Sequence, residues 1–229
     1  MLSGSKCKKP REMLPFTMNK LEVCEIFKSI QGESTFSGSI CSFVRLSGCN
    51  LRCSYCDTTY AFTESNLLSI DEIIDSVSEH ETRLVQITGG EPLIQKNTAE
   101  LCNRFLELGY TVLVETNGST EIESVSSDCH RIVDVKCPGS GMAGSFLESN
   151  IAALTGNDEL KYVISDLSDF NWALDHIFTK NLESCTINFS PNMNCLSAQT
   201  LAEWILERNA PVRLNLQLHK LIWGDRRGV

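Results

Sequence analysis

The sequence lacks an apolar run long enough to cross a bilayer, and it has no excess of positive charge. A membrane-spanning helix needs about 20 consecutive apolar residues. The N-terminal stretch MLSGSKCKKPREMLPF is basic but has no apolar core of the secretory type. A formal net charge of -9 and a pI near 5.0 give the chain a field that repels polyanions. We therefore expect a cytoplasmic protein that binds neither a membrane nor a nucleic acid.

The chain also has little that would divide it into parts. It contains no low-complexity tract, no repeat at a solenoid period and no long linker rich in Pro, Gly or Ser. With 229 residues, of which 42% are hydrophobic, it is large enough to bury one substantial core. We predict a single domain over residues 1–229, with residues 1–19 as a flexible extension and Met18 as an alternative start.

From residue 84 onward, short β-rich runs alternate with stretches of helical period. Ser69 and Glu72 form a capping-box pattern ahead of one such helix. Strands separated by helices pair in parallel, either in an open doubly wound sheet or in a complete or partial barrel, and the alternation does not choose between them. Both architectures place their chemistry at the carboxyl ends of strands. The predicted strands are KLEVCEIF, CSFVRL and residues 84–88, 111–116, 131–136, 160–165, 185–190 and 212–218.

The eleven cysteines do not indicate a disulfide framework, because their number is odd and the chain is longer than stapled domains. A lone cysteine usually behaves as a small buried apolar residue. We expect this of eight: Cys7, Cys24, Cys41, Cys102, Cys129, Cys137, Cys185 and Cys195.

The other three, Cys49, Cys53 and Cys56, form one cluster in CNLRCSYC. Structural zinc is normally closed by four protein ligands, whereas a four-iron cluster held by three cysteines leaves one iron open to an outside molecule. Zinc completed by Cys41 or His219, and three unrelated thiols, remain alternatives.

The cysteine spacing, followed by TGGEPL at a strand end, resembles the radical S-adenosylmethionine (radical SAM) superfamily. The resemblance implies a compact, modified α/β fold, a partial parallel (β/α) barrel of the radical SAM type. It also implies a 4Fe-4S cluster on the three cysteines, whose open iron is chelated by the methionine moiety of S-adenosylmethionine. An electron from the cluster would release a radical that takes hydrogen from the substrate. Tyr55 would contact the adenine. Gly89, Gly90, Glu91 and Pro92 would receive the methionine amino group, although GGEP also fits an ordinary turn.

Three further stretches, FKSIQGEST, VDVKCPGSGM and LQLHKLIWG, resemble the 7-carboxy-7-deazaguanine synthase family from about residue 20 to the end. The resemblance implies a lyase of queuosine biosynthesis. It would convert 6-carboxy-5,6,7,8-tetrahydropterin into 7-carboxy-7-deazaguanine and release ammonia, with the help of Mg²⁺, a flavodoxin-type reductant and homodimerisation.

A pterin with a carboxylate calls for hydrogen-bonding side chains and at least one cation. By the resemblance, the substrate contacts are Gln31, Gly32, Glu33, Arg45, Thr88 and His219. Further cofactor contacts are Lys136, Cys137, Pro138 and Ser190, and the Mg²⁺ ligand is Thr58 with Asp57 in support. The alternatives are a surface ion pair between Glu33 and Arg45, a helix cap at Asp57 and Thr58, and a structural His219 at the end of an edge strand.

Two rival functions share the cysteine pattern. An activating enzyme for a glycyl-radical or anaerobic ribonucleotide reductase partner would act on a polypeptide, and it would not need SIQGES or LHKLIWG. An iron-sulfur electron carrier would form the cluster without binding S-adenosylmethionine.

Overall fold

The computed structural model describes residues 19–229. The predicted extension and the alternative start at Met18 therefore lie outside the described residues, except for Asn19. The strands are β1 (Lys20–Ile30), β2 (Ile40–Leu46), β3 (Asn66–Ser69), β4 (Leu84–Gly89), β5 (Thr111–Thr116), β6 (His130–Asp134), β7 (Glu159–Ile164), β8 (Thr186–Pro191) and β9 (Arg213–Leu214). The helices are α1 (Ile70–Ser78), α2 (Thr98–Glu107), α3 (Asn150–Ala153), α4 (Leu167–Thr179), α5 (Ala198–Glu207) and α6 (Leu218–Trp223).

Over residues 19–229 the strands form one nine-stranded sheet in the order β3-β1-β2-β4-β5-β6-β7-β8-β9. All neighbours from β2 to β9 pair in parallel, and β1 runs antiparallel to β2 and β3 on either side of it. The sheet does not close, because β3 and β9 remain as separate edges. This confirms the predicted α/β class and a partial barrel.

Alternation along each parallel strand gives the sheet an outer face covered by helices and an inner face. On β5, Val112 and Val114 point outward into the core formed with α1 and α2. Leu113 points inward to an apolar cluster that also contains Phe43, Leu84 and Ile132. A second outer core joins β7 and β8 to α4 and α5.

The capping box at α1 is confirmed. The hydroxyl of Ser69 accepts a hydrogen bond from the Glu72 amide, and the Glu72 carboxylate accepts one from the Ser69 amide at 2.7 Å. The helix then buries the apolar side of its period, Ile70, Ile73, Ile74 and Val77.

The predicted strand over residues 212–218 is wrong beyond its first part. β9 ends at Leu214, and α6 already begins at Leu218. The amide of Asn215 still donates to Phe189 O at 2.9 Å, but the amide of Leu218 donates to Gly32 O at 3.0 Å. The chain therefore leaves the sheet to meet the loop between β1 and β2, which alternation alone does not reveal.

The lone cysteines mostly behave as predicted. Cys24, Cys41, Cys102, Cys129 and Cys137 are buried, Cys185 is half-buried, and Cys195 is exposed. All cysteines in the described part of the chain are free thiols; Cys7 lies outside it. No helix between residues 19 and 229 is both long and apolar enough to span a bilayer.

Candidate active site

A cavity of about 240 Å³ lies at the carboxyl ends of the parallel strands. The loop after β2, the end of β4, the segment after β6 and the start of α6 all contribute to its wall. It brings together most of the predicted site residues: Gln31, Gly32, Glu33, Arg45, Cys49, Cys53, Tyr55, Cys56, Asp57, Thr58, Thr88, Gly89, Gly90, Lys136, Ser190 and His219. Glu91, Cys137 and Pro138 do not line it.

The cysteine loop, residues 47–58, is fixed near its start and in its interior by backbone hydrogen bonds to other segments. The Gly48 amide donates to Ala61 O at 2.7 Å, and the Ser54 amide donates to Ser140 O at 2.9 Å. Cys49, Cys53 and Cys56 are all half-buried and line the same cavity. Burial raises the pKa of the Cys49 and Cys53 thiols.

The donor set fits an iron-sulfur cluster, because thiolates are the protein ligands of such clusters. Among residues 19–229, no three His, Cys, Asp or Glu side chains are grouped to hold a single metal ion. Cys41, one of the two residues considered as a completing ligand for zinc, instead packs in the inner apolar cluster, where burial raises its pKa to about 12.

The GGEP segment brings the end of β4 against the cysteine loop. A Cβ on Gly90 would lie 2.0 Å from Gly48 O, and one on Gly89 would lie 2.1 Å from Leu46 O. Gly89 also has a φ of 153°, which side chains rarely adopt. Glycine is therefore required here by the close approach of two backbone segments, before any ligand is considered.

Glu91 is fully buried beneath this contact. Its carboxylate accepts hydrogen bonds from Thr116 Oγ1 at 2.7 Å and from the amides of Asn117 at 2.6 Å and Leu93 at 2.9 Å. Its side chain joins the ends of β4 and β5 and caps the short helical turn Pro92–Ile94. The segment thus forms a structural turn and a cavity wall at once.

Cys137 and Pro138 follow β6 with different environments. The Cys137 side chain is buried in the outer core beside α4, whereas Pro138 is exposed and opens the turn Pro138–Ser140. Lys136, just before them, faces the cavity and pairs with Asp134 at 2.9 Å.

The predicted substrate residues come from four elements, of which β4 carries Thr88. The hairpin loop, residues 31–39, supplies Gln31, which donates to Gln86 Oε1, and Glu33. Arg45 on β2 donates from Nε to Glu25 at 2.8 Å. The alternative of a Glu33–Arg45 ion pair is therefore wrong, since each side chain has another partner. His219 packs on Gly32 so closely that a Cβ there would lie 2.4 Å from its Nδ1.

The carboxylate of Glu159 on β7 binds the hairpin loop through hydrogen bonds. Its Oε1 accepts hydrogen bonds from the Thr35 amide at 2.9 Å and from the Thr35 hydroxyl, and it lies 2.7 Å from His130 Nε2. Its Oε2 accepts from Asn188. This buried network holds the loop that carries Gln31 and Glu33 against the cavity.

Asp57 and Thr58 lie beside the last cysteine. Asp57 Oδ2 pairs with Lys220 Nζ at 2.7 Å. The Asp57 side chain is 45% exposed. Partial desolvation opposes ionisation of the carboxyl, but Lys220 outweighs it and holds the pKa of Asp57 below its usual value. Thr58 precedes the turn Thr59–Phe62 without a side-chain capping bond, so the helix-cap alternative is not supported for its hydroxyl.

A cluster of four charged residues lines the cavity: Glu33, Glu115, Asp134 and Lys161. The sequence analysis identified only Glu33 among them. The ammonium of Lys161 lies 2.7 Å from Glu115, 3.1 Å from Glu33 and 3.5 Å from Asp134. The sequence contained one sign of this cluster, namely a charged residue within an otherwise apolar strand, as in TVLVET and LKYVIS. At period two, Glu115 and Lys161 fall on the face opposite to Val114 and Tyr162.

Comparison with known proteins first defines the class. Residues 43–126, which contain the cysteine loop and GGEP, match the model of the radical SAM superfamily. The 7-carboxy-7-deazaguanine synthases of Koribacter versatilis and Chlorobaculum tepidum are each 43% identical to this chain, over 89% and 91% of it and 97% of the relative. A crystal structure of QueE from Escherichia coli superposes with a TM-score of 0.72 at 22% identity, covering 86% of this chain and 94% of that one.

The chain therefore belongs to the 7-carboxy-7-deazaguanine synthase family within the radical SAM superfamily. This confirms the resemblance drawn from the three sequence stretches. The superposition with QueE confirms the fold.

Proposed function

We propose that this chain is a radical SAM lyase that converts 6-carboxy-5,6,7,8-tetrahydropterin into 7-carboxy-7-deazaguanine, with release of ammonia, in queuosine biosynthesis. Its relatives carry the name of that activity. The observation that carries the proposal is one cavity lined both by the three clustered thiols and by Gln31, Glu33 and Arg45. A ring contraction needs the radical source and the pterin side by side.

Cys49, Cys53 and Cys56 would hold the 4Fe-4S cluster, with one iron left open. When bound, the cluster and S-adenosylmethionine supply the radical that starts the reaction. The chain contributes walls that orient the cofactor: we assign Tyr55, Gly89, Gly90, Glu91, Lys136, Cys137, Pro138 and Ser190 to this role. Of these, Glu91, Cys137 and Pro138 would act through their backbone or through their neighbours, since their side chains do not face the cavity.

Arg45 is suited to the substrate carboxylate. Only its Nε is bonded to another residue in the range 19–229, which leaves both terminal nitrogens free to bind a carboxylate. Gln31, Gly32, Glu33, Thr88 and His219 would surround the ring. Gly32 admits His219 to van der Waals distance, and a larger residue at that position would displace the imidazole.

Mg²⁺ would bind the Thr58 hydroxyl, with Asp57 in support. Hard cations prefer oxygen ligands and retain several waters, so few protein ligands suffice. Lys220 keeps Asp57 ionised in this position. We also propose a cytoplasmic homodimer of single-domain chains, supplied with electrons by a flavodoxin-type reductant.

The test is an anaerobic product analysis. The chain is reconstituted with iron and sulfide, then mixed with reductant, S-adenosylmethionine, Mg²⁺ and 6-carboxytetrahydropterin, and the products are identified by mass spectrometry. We expect 7-carboxy-7-deazaguanine. Deoxyadenosine without the deazaguanine would reject this substrate and favour a polypeptide one. A fully loaded cluster that gives neither product would favour an electron carrier.

A further inference from the structure

We propose that Lys161 is a positioning residue for the pterin: its ammonium holds the Glu33 carboxylate as a hydrogen-bond acceptor for an N–H group of the substrate ring. The inference rests on the proposed function and deepens it. It assigns a role to a residue that no sequence motif indicated.

The geometry shows a cation shared by three carboxylates from separate elements. Lys161 lies in β7, Asp134 in the neighbouring strand β6, Glu115 in β5, and Glu33 in the hairpin loop. The Lys161 side chain is only 6% exposed, and Glu33, Asp134 and Glu115 are 14%, 11% and 21% exposed. A buried ammonium is tolerated only where it is paired in this way.

The two oxygens of Glu33 are used unequally. Oε2 accepts from Lys161 at 3.1 Å, whereas Oε1 is buried and has no hydrogen-bond partner among the described residues. A buried acceptor without a partner carries a desolvation penalty. Both oxygens of Glu115 are already occupied, by Lys161 and by Gln86 at 2.8 Å. Asp134 Oδ1 is also buried without a partner among the described residues, but Asp134 pairs with two ammonium groups, those of Lys136 and Lys161. Glu33 pairs with Lys161, and we assign its Oε1 as the acceptor for the ligand.

A pterin ring offers the matching chemistry. The pyrimidine edge of such a ring carries N–H donors, and a carboxylate is a strong acceptor for them. A protonated Glu33 carries an O–H donor on one of its oxygens, and that donor would face the N–H donors of the ring. The charge state of Glu33 therefore decides whether its free oxygen attracts the ring.

Lys161 is the cation that opposes protonation of Glu33. Burial raises the pKa of Glu33, Lys161 acts against this rise, and Glu115 and Asp134 add to it. The other titratable or charged groups around the cavity include Arg45 with Glu25, Tyr55, Asp57 with Lys220, Lys136 paired with Asp134, His219 and the thiols of Cys49, Cys53 and Cys56. β4 and β8 contribute only neutral groups there, Gln86, Thr88 and Ser190.

The experiment measures pterin binding and turnover against pH in the reconstituted holoenzyme. Lys161→Met removes the charge but keeps much of the side-chain length. Because Glu33 then ionises at higher pH, we expect the Kd for 6-carboxytetrahydropterin to rise on the acid side of the profile, by up to about tenfold for a pKa shift of one unit, and to recover as the pH rises. The acid limb of kcat/KM moves to higher pH with it. The matched control is Lys180→Met, which removes an exposed pair with Glu148 and should leave both profiles unchanged.

A second variant separates charge from damage to the fold. Glu115→Gln removes an anion beside Glu33, so it should move the acid limb to lower pH, both alone and in combination with Lys161→Met. Unchanged acid limbs in Lys161→Met and in Glu115→Gln would overturn the inference. If Lys161→Met does not fold, the direction of the limb in Glu115→Gln decides alone. Wild-type protein that neither binds nor converts the pterin would refute the proposed function instead.

Discussion

On the outer face of the sheet, the strands bury valines, isoleucines and phenylalanines against α1, α2, α4 and α5. On the inner face, the same strands bury Gln86, Asp134 and Lys161 and half-bury Glu115, and Lys161 pairs with both carboxylates. The outer side chains are interchangeable with others of similar size, since dispersion and hydrophobic burial are not directional. The inner ones need particular partners, because each unpaired buried charge carries a penalty. One alternating pattern thus builds a core on one side and a site on the other.

The largest effect should come from the site, where Cys53→Ala changes the loop at the carboxyl ends of the strands. Removal of one of the three clustered thiols should abolish bound 4Fe-4S cluster and product formation, while far-UV circular dichroism and the denaturation midpoint stay near wild type. Iron and sulfide content after reconstitution give the readout. The control is Cys195→Ala, which removes an exposed lone thiol. Retained iron and activity in Cys53→Ala would reject the open-cluster assignment.

Arg131 is an exception to the contrast between an apolar outer face and a charged inner face, because it places a charge on the outer face. It is almost fully buried and makes a bidentate pair with Asp158, at 2.8 Å from Nε and 2.6 Å from Nη2. Arg131→Met leaves Asp158 buried and uncompensated, so we expect unfolding to become easier by about 3–5 kcal/mol.

Urea denaturation measures this loss. The matched control is Arg104→Met, which breaks an exposed pair with Asp71 and should cost less than about 1 kcal/mol. Equal losses in both variants would show that the buried pair adds no more than a surface pair.

Leu113→Ala tests whether the apolar cluster on the inner face contributes to the stability of the fold. Leu113 is fully buried among Phe43, Leu84 and Ile132, so truncation should lower the free energy of unfolding by about 2–5 kcal/mol. Thr111→Ala changes an exposed position on the same strand and should stay within about 0.5 kcal/mol. A small loss at Leu113 would mean that the apolar cluster collapses around the gap.

Ser69→Ala should have the smallest effect, about 1 kcal/mol, because it removes only the side-chain cap of α1. Thermal denaturation should detect it. Ser76→Ala, on the same helix, removes a hydroxyl that bonds to the Glu72 carbonyl and caps nothing, so no loss is expected. If the two variants are equally stable, the capping box contributes nothing measurable.

The sequence predicted the outer face better than the inner one. Apolar periodicity located the strands and α1, since it depends on burial alone. Spacing and motif located the cysteine loop and GGEP, because those residues are adjacent in the chain. The roles of Lys161 and Glu115 were not predicted, because they depend on contacts across three strands. The end of β9 was misplaced because α6 is positioned by the distant Gly32.

The sheet ends on two very short edges. β3 contributes four residues and β9 only two, and Arg213 adds a charge at the second edge. An exposed edge is a template on which another chain can add a strand, and short or charged edges limit such growth. A nine-stranded open sheet would otherwise be prone to edge-to-edge aggregation. Here the brevity of β9 leaves an incoming strand few backbone groups with which to pair at that edge.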